Sequence, residues 1–320
     1  MPAAASSRGE LAASAGLLLT AFCWGSMVPL TSVLLVHLPP FLIAAGRYSL
    51  GVPVLALLIA LIEEGPILPR GLPWLRILKL GGLGIAAFAT CYTFGIWYSG
   101  PVTAAAILAT GPVIAVLMER AMGGRRIAGR TGIAVAVAVV GGLIAAFGRP
   151  HAGGGRHGGE LLLVIGLVCW TWYSVQAQAW LGHLGIGSLR LTLVTTGAAG
   201  LSLWLVYGLC ALAGIQPLPA TLPTAGDVAI FAWLAVGPTA IAICTWNLGT
   251  GRLGVTVATL FLNLSPIFAV LIGLPFGVEP TAAELAGGGL AIAAVIWLQL
   301  GQLGRRARAA RPMDAPQQTR

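Results

Sequence analysis

"VTAAAILATGPVIAVL" (residues 102–117) and "VTVATLFLNLSPIFAVL" (residues 255–271) read as one segment written twice, with one residue inserted before the second proline. Both are apolar enough to lie in a bilayer, yet both carry hydroxyl or amide groups and a proline at mid-length. Hydrocarbon offers an amide no hydrogen-bond partner. A proline lacks the N–H that would hold the carbonyl four residues back, here on Leu108 and Leu262. Such groups are expected to face something other than lipid.

Working outward, two more matches keep the same order: "FCWG" (22–25) with "VCWT" (168–171), and "GIAAFATCY" (84–92) with "GPTAIAICT" (237–245). Three ordered matches predict an internal duplication. The chain of 320 residues is 58% hydrophobic and 8% charged, against roughly 25% charged in soluble domains, so most of its surface must meet lipid. A crossing helix needs about 20 apolar residues. Ten stretches qualify: 11–36, 40–62, 75–98, 101–121, 127–148, 160–182, 187–213, 226–249, 253–275 and 281–302. Tight turns are expected around "HLPP" (37–40) and "YSGP" (98–101). The first stretch is too long for the core of a cleaved signal peptide and reads as a retained span.

Five spans per copy is an odd number, so the second copy enters the membrane the opposite way. The expected fold is an all-α polytopic membrane protein of ten transmembrane helices in two inverted five-helix repeats, with binding at the midplane between them. The expected divisions are a cytoplasmic N-terminus (1–10), a first repeat (11–149), an outside linker (150–159), a second repeat (160–302) and a basic cytoplasmic tail (303–320). With both termini inside, fifteen basic residues fall in cytoplasmic segments and only Arg149 and Arg156 outside. This predicts a multi-pass protein of the inner (plasma) membrane. Scattered in short loops and a tail, the basic residues do not suggest a nucleic-acid surface.

The tryptophan-glycine of span 1, "AAGRYSL" (44–50) and the two proline-bearing segments with their short charged turns resemble the drug/metabolite transporter superfamily, EamA-type branch. The resemblance covers about residues 11–302 and implies a ten-span carrier; many such carriers export amino acids or other small metabolites. The family's glutamate after the repeat proline is matched by Glu279. Arg125 takes the aligned place in the first half.

The residues themselves point to a wet interior. Thr256, Thr259 and Asn263 share a helical face, and Thr103 and Thr110 repeat that spacing in span 4. Interhelical hydrogen bonding is the plainer reading of each stripe, worth about 0.6 kcal/mol. Trp24 and Trp170 sit near span centres, where interfacial belts do not explain them, whereas Trp97, Trp246 and Trp297 fit belts. Tyr173, Gln176 and Trp180 continue the Trp170 face, and span 3 offers Thr90, Tyr92 and Thr93. Arg47 either snorkels outward or serves a carboxylate-bearing substrate or a gate. The expected substrate-binding set is Trp24, Arg47, Tyr92, Thr110, Trp170, Tyr173, Gln176 and Asn263, with Pro112 and Pro266 as hinges. Ala134 with Ala138, and Gly289 with Ala293, read as close-packing pairs in scaffolding spans 5 and 10.

No acidic residue stands at mid-depth, so no proton-coupling group can be named. "GGGRHGG" (153–159) lacks the lysine and hydroxyl of a phosphate loop. His151 and His157 lack a third ligand. The five cysteines form no CxxC pair and read as small apolar residues. No cofactor, metal or obligate protein partner is expected; the partners are the bilayer and a small-molecule substrate. The function expected is a secondary transporter, an exporter of a small amphiphilic metabolite such as an amino acid, working by alternating access. A channel-like pore or facilitator would want a continuous lining, which Trp24 and Trp170 obstruct. A polytopic membrane enzyme would want a clustered set of catalytic groups, and none is visible.

Overall fold

In lipid every backbone polar group must be satisfied within the chain, and an apolar sequence with few turn signals does so as helices. The computed structural model describes residues 2–36, 38–122, 129–147, 159–216, 223–273, 281–283, 285–290, 292–294 and 296–297, and it is all-helical over them. The linker histidines, Arg125, Glu279 and the basic tail lie outside the described residues.

The first half runs α1 (Pro2–Leu34), α2 (Pro40–Ile62), α3 (Trp74–Lys79), a π-helical segment (Leu80–Ala86), α4 (Ala87–Leu108), α5 (Gly111–Ala121) and α6 (Gly129–Phe147). The second runs α7 (Gly159–Leu181), α8 (Ser188–Leu212), α9 (Ala225–Leu234), a second π segment (Ala235–Ile241), α10 (Ala242–Leu253), α11 (Val255–Leu262) and α12 (Ser265–Gly273). Among the described residues six helical runs are long and apolar enough to cross a membrane: 9–34, 40–62, 74–99, 159–181, 188–212 and 225–253. Their outer faces are apolar: Leu201, Leu205 and Leu209, one turn apart on α8, are exposed, while Leu203 and Tyr207 between them are buried. That is the pattern of a helix with lipid on one side and protein on the other.

Local chemistry sets the ends. Pro40 opens α2 at a position where its missing N–H is no loss. Thr224 and Asp227 form a reciprocal capping box on α9. Gly254, at φ 84°, makes the sharp join between α10 and α11.

Three expectations change. The backbone stays helical through 98–101, so the turn predicted at "YSGP" is absent. The chain instead leaves the helix at Ala109–Thr110, and again at Asn263–Leu264. The repeat prolines therefore do not kink continuous helices: Pro112 and Pro266 each stand second in a new half-helix. There a missing N–H belongs to the first turn, which lacks intrahelical partners anyway, so the mid-helix penalty of about 3 kcal/mol does not apply. Finally, of the close-packing pairs, Ala134 and Ala138 are fully buried. Gly289 and Ala293, however, are exposed; it is Gly288 that faces a neighbour, Ile267 of α12.

The halves pack across each other: α1 on α10, α4 on α7, α2 on α8, and α5 on α11. Both π segments lie at these crossings. The first meets α7 and α8, where a Cβ on Gly84 would come within 2.6 Å of the Tyr173 Cβ and one on Gly81 within 2.5 Å of the Ala198 Cβ. The second meets α2, and its Thr239 hydroxyl donates to Leu234 O five residues back at 2.8 Å. A π turn inserts one extra residue and re-aims the side chains beyond it.

Candidate functional site

Trp24 on α1 and Trp170 on α7 meet edge to face, ring centroids 5.1 Å apart. Trp246 on α10 completes a triangle, 5.4 Å from Trp24 and 5.9 Å from Trp170. Phe88 and Tyr173 lie 5.1 and 5.2 Å from Trp170, and Tyr92 lies 5.4 Å from Phe88. Four predicted residues, Trp24, Tyr92, Trp170 and Tyr173, thus share one aromatic cluster at the crossing of α1, α4, α7 and α10.

The sequence places Trp246 in an interfacial belt; in the structure it is fully buried. Its helix runs on to Leu253 rather than ending near 249, which carries the residue well inside the span. Thr245, Asn247 and Thr250 around it are a signal that could have marked it, since a belt tryptophan does not need polar neighbours on three sides. Trp97 and Trp297, by contrast, are partly exposed as belt residues are.

Polar groups in the cluster divide into satisfied and unsatisfied. Trp24 donates its indole N–H to Pro238 O in the second π segment at 2.9 Å, and Trp246 donates to the Ser174 hydroxyl at 2.9 Å. Tyr173 donates to Asn247 Oδ1 at 3.1 Å and contacts the Thr195 hydroxyl at 3.2 Å. Asn247 Nδ2 donates to Thr192 at 2.9 Å. Gln178, not Gln176, joins this network, donating to Asn247 O and to the Thr250 hydroxyl; Gln176 is half-buried on the same helix. This web ties α7, α8 and α10 together; the polar run on α10 is visible in the sequence, but not the partners that Asn247 takes on α7 and α8.

Unsatisfied in the cluster are Trp170 Nε1 and the Tyr92 hydroxyl, and outside it, at a helix break, both amide atoms of Asn263. Asn263 is 2% exposed at the break between α11 and α12. A buried unpartnered polar group costs about 1–3 kcal/mol, so such a cluster marks either strain or a place for a ligand or water. Thr110 occupies the break in the first half, half-buried, its hydroxyl bonded to Ile107 O at 2.6 Å. Thr256 and Thr259 are buried and satisfied by Glu119 and Thr256 O. The side chains of Thr103 and Pro266 lie outside the described ones.

Arg47 does not snorkel. It is 3% exposed on α2, with Nη2 donating to the Tyr48 hydroxyl at 3.1 Å, Cζ 4.6 Å from the Tyr48 ring centroid, and Nη1 on the Met27 thioether. Met27 and Tyr92 belong to one buried cluster against which Trp24 and Phe88 pack. Among the described residues no group of three or more potential metal ligands occurs.

A family model described as the EamA-like transporter family matches residues 11–147 and again residues 157–300. A protein of Streptantibioticus cattleyicolor described as a probable terminal-alkyne amino-acid exporter is 27% identical over 301 residues, 92% of this chain and 96% of its own length. An uncharacterized transporter of Bacillus subtilis, YyaM, is 22% identical over 257 residues, 79% and 82% of the two chains. A solved crystal structure superposes with a TM-score of 0.73 over 94% of this chain and 99% of its own, at 21% identity. That last likeness speaks to the fold alone.

Proposed function

The chain belongs to the EamA-like transporter family, and from that premise we propose that it is a secondary carrier, an exporter, of a small amphiphilic metabolite such as an amino acid. Its site is the aromatic cluster at mid-depth, with Asn263 and Arg47 as polar contacts. The observation that carries this is the contact of Trp24 with Trp170: two residues at matching places in the two halves meet in a half-buried to buried aromatic box that holds unpartnered polar atoms.

Several features support inverted repeats. One family model matches each half. The π segments and the helix breaks recur at corresponding places. The cross-packing of α1 on α10, α4 on α7, α2 on α8 and α5 on α11 maps onto itself when each span is exchanged for its counterpart five spans away. Broken helices at a repeat interface are where carriers bind substrate, and rocking of one repeat against the other gives alternating access. Thr110–Pro112 and Asn263–Pro266 are then the hinges. The amino-acid class rests on the relative's description as an exporter.

The test is flux through purified protein in liposomes loaded with amino acids and related organic acids. A carrier gives saturable flux that rises when substrate is present on the far side. Flux that neither saturates nor responds to substrate on the far side would replace the carrier with a pore.

A further inference from the structure

We propose that the site selects by net charge: it takes small apolar-bodied organic acids as anions and discriminates against the matching zwitterionic amino acids. This rests on the carrier reading and replaces its amino-acid example with organic acids that lack the amine.

The Arg47 guanidinium is permanently charged and buried. Its contacts are a thioether, which is a weak acceptor, and a neutral phenol. Among the described residues no carboxylate reaches it. The sequence leaves few sources of one, for all nine acids stand near span ends, in loops or in the tail. Of those in or beside the described helices, Glu63 pairs with Arg190, Glu119 holds α11 and Asp227 closes the α9 cap, while Glu10 and Glu160 stand near the N-terminal ends of the spans in α1 and α7. A buried charge needs a counter-charge, and this one is left for a ligand to supply.

Placement connects that charge to the aromatic box. Met27, which touches Arg47, lies one turn from Trp24 on the same face of α1. A carboxylate at Arg47 leaves its apolar body on Trp24, Phe88 and Trp170. The unpartnered Trp170 N–H is a donor, suited to an anion and useless to an ammonium. At each helix break a C-terminus meets an N-terminus, so the two dipoles oppose and add no net charge. An amino acid would therefore bury its ammonium with no opposing charge, while the same molecule without the amine would be neutralised in full.

The experiment uses three probes with the same ring and chain length on the detergent-purified full chain: 3-phenylpropanoate, phenylalanine and 3-phenylpropylamine. Affinities are measured by calorimetry. The expected result is 3-phenylpropanoate at least tenfold tighter than phenylalanine, with no binding of the amine. Arg47→Lys keeps the order, and Arg47→Gln brings the two acids within about twofold. Phenylalanine binding as tightly as 3-phenylpropanoate overturns charge selection and leaves the carrier reading standing. A tenfold preference persisting in Arg47→Gln removes Arg47 from it. Should Arg47→Gln fail to fold, the wild-type comparison decides. No binding of any probe overturns the aromatic box as the binding site, and this inference with it.

Discussion

Glu119, at the end of α5, holds the start of α11 through Thr256: its Oε2 accepts the Thr256 hydroxyl at 2.6 Å while Oε1 accepts the Val255 and Thr256 amides at 3.0 and 3.3 Å. A carboxylate from the first half thereby satisfies the orphan donors of a half-helix in the second, where the helix dipole also favours negative charge.

Removing that carboxylate strands two amides and a hydroxyl. Glu119→Ala is expected to lose about 0.5–2 kcal/mol, the range for a lost helix cap, read as a lower melting temperature in detergent. Glu119→Gln, which keeps one acceptor oxygen, should fall between the two. A melting temperature unchanged by Glu119→Ala would show that the contact contributes nothing to stability.

Two buried asparagines should behave oppositely. Asn247 is satisfied on both amide atoms, and Asn247→Leu removes one hydrogen bond each from Tyr173 and Thr192, which keep Thr195 and Ser188 O, at a combined loss of about 1–3 kcal/mol. Asn263 has no partners to strand, so Asn263→Leu should melt at or above the wild-type temperature and yet transport poorly. Melting and flux on the same preparations check both; wild-type flux by Asn263→Leu would take Asn263 out of the site.

Glycines separate in the same way. An alanine Cβ at Gly81 would meet Ala198 Cβ at 2.5 Å and the Ala199 backbone nitrogen at 2.7 Å, which cannot swing aside; at Gly289 it would meet nothing within 4 Å. Gly81→Ala is expected to cost about 1–3 kcal/mol from overpacking, and Gly289→Ala next to nothing. Comparing the melting of the two variants tests whether the first π segment is held by close approach.

Orientation is testable by labelling. With the native cysteines replaced, an impermeant thiol reagent should reach Leu68→Cys only from the cytoplasmic side and Ile215→Cys only from the opposite side. Both positions are exposed loops between helices. The reverse pattern would refute the orientation drawn from the basic residues.

The all-helical membrane architecture was legible from composition, because hydrocarbon admits so few ways to satisfy a backbone. Trp24 and Trp170 were legible as site candidates for a related reason: an aromatic residue at mid-depth flanked by small polar groups has no membrane-interface role to explain it. The prolines announced the helix breaks at Ala109–Thr110 and Asn263–Leu264. What sequence alone left undetermined follows from register. The two π segments lie where α7, α8 and α2 approach their glycines and threonine closely. A π turn re-aims the side chains beyond it, and α10 runs on to Leu253 rather than ending near 249, which places Trp246 inside rather than in a belt. Likewise Gln178 rather than Gln176, and Gly288 rather than Gly289, meet a neighbour, because helix rotation is set by the partner's surface and not by the helix's own apolar pattern. Arg47 is the sharpest case: its position in the chain allowed either snorkelling or burial, and only the packing of α1, α2 and α4 around it closed the route to water.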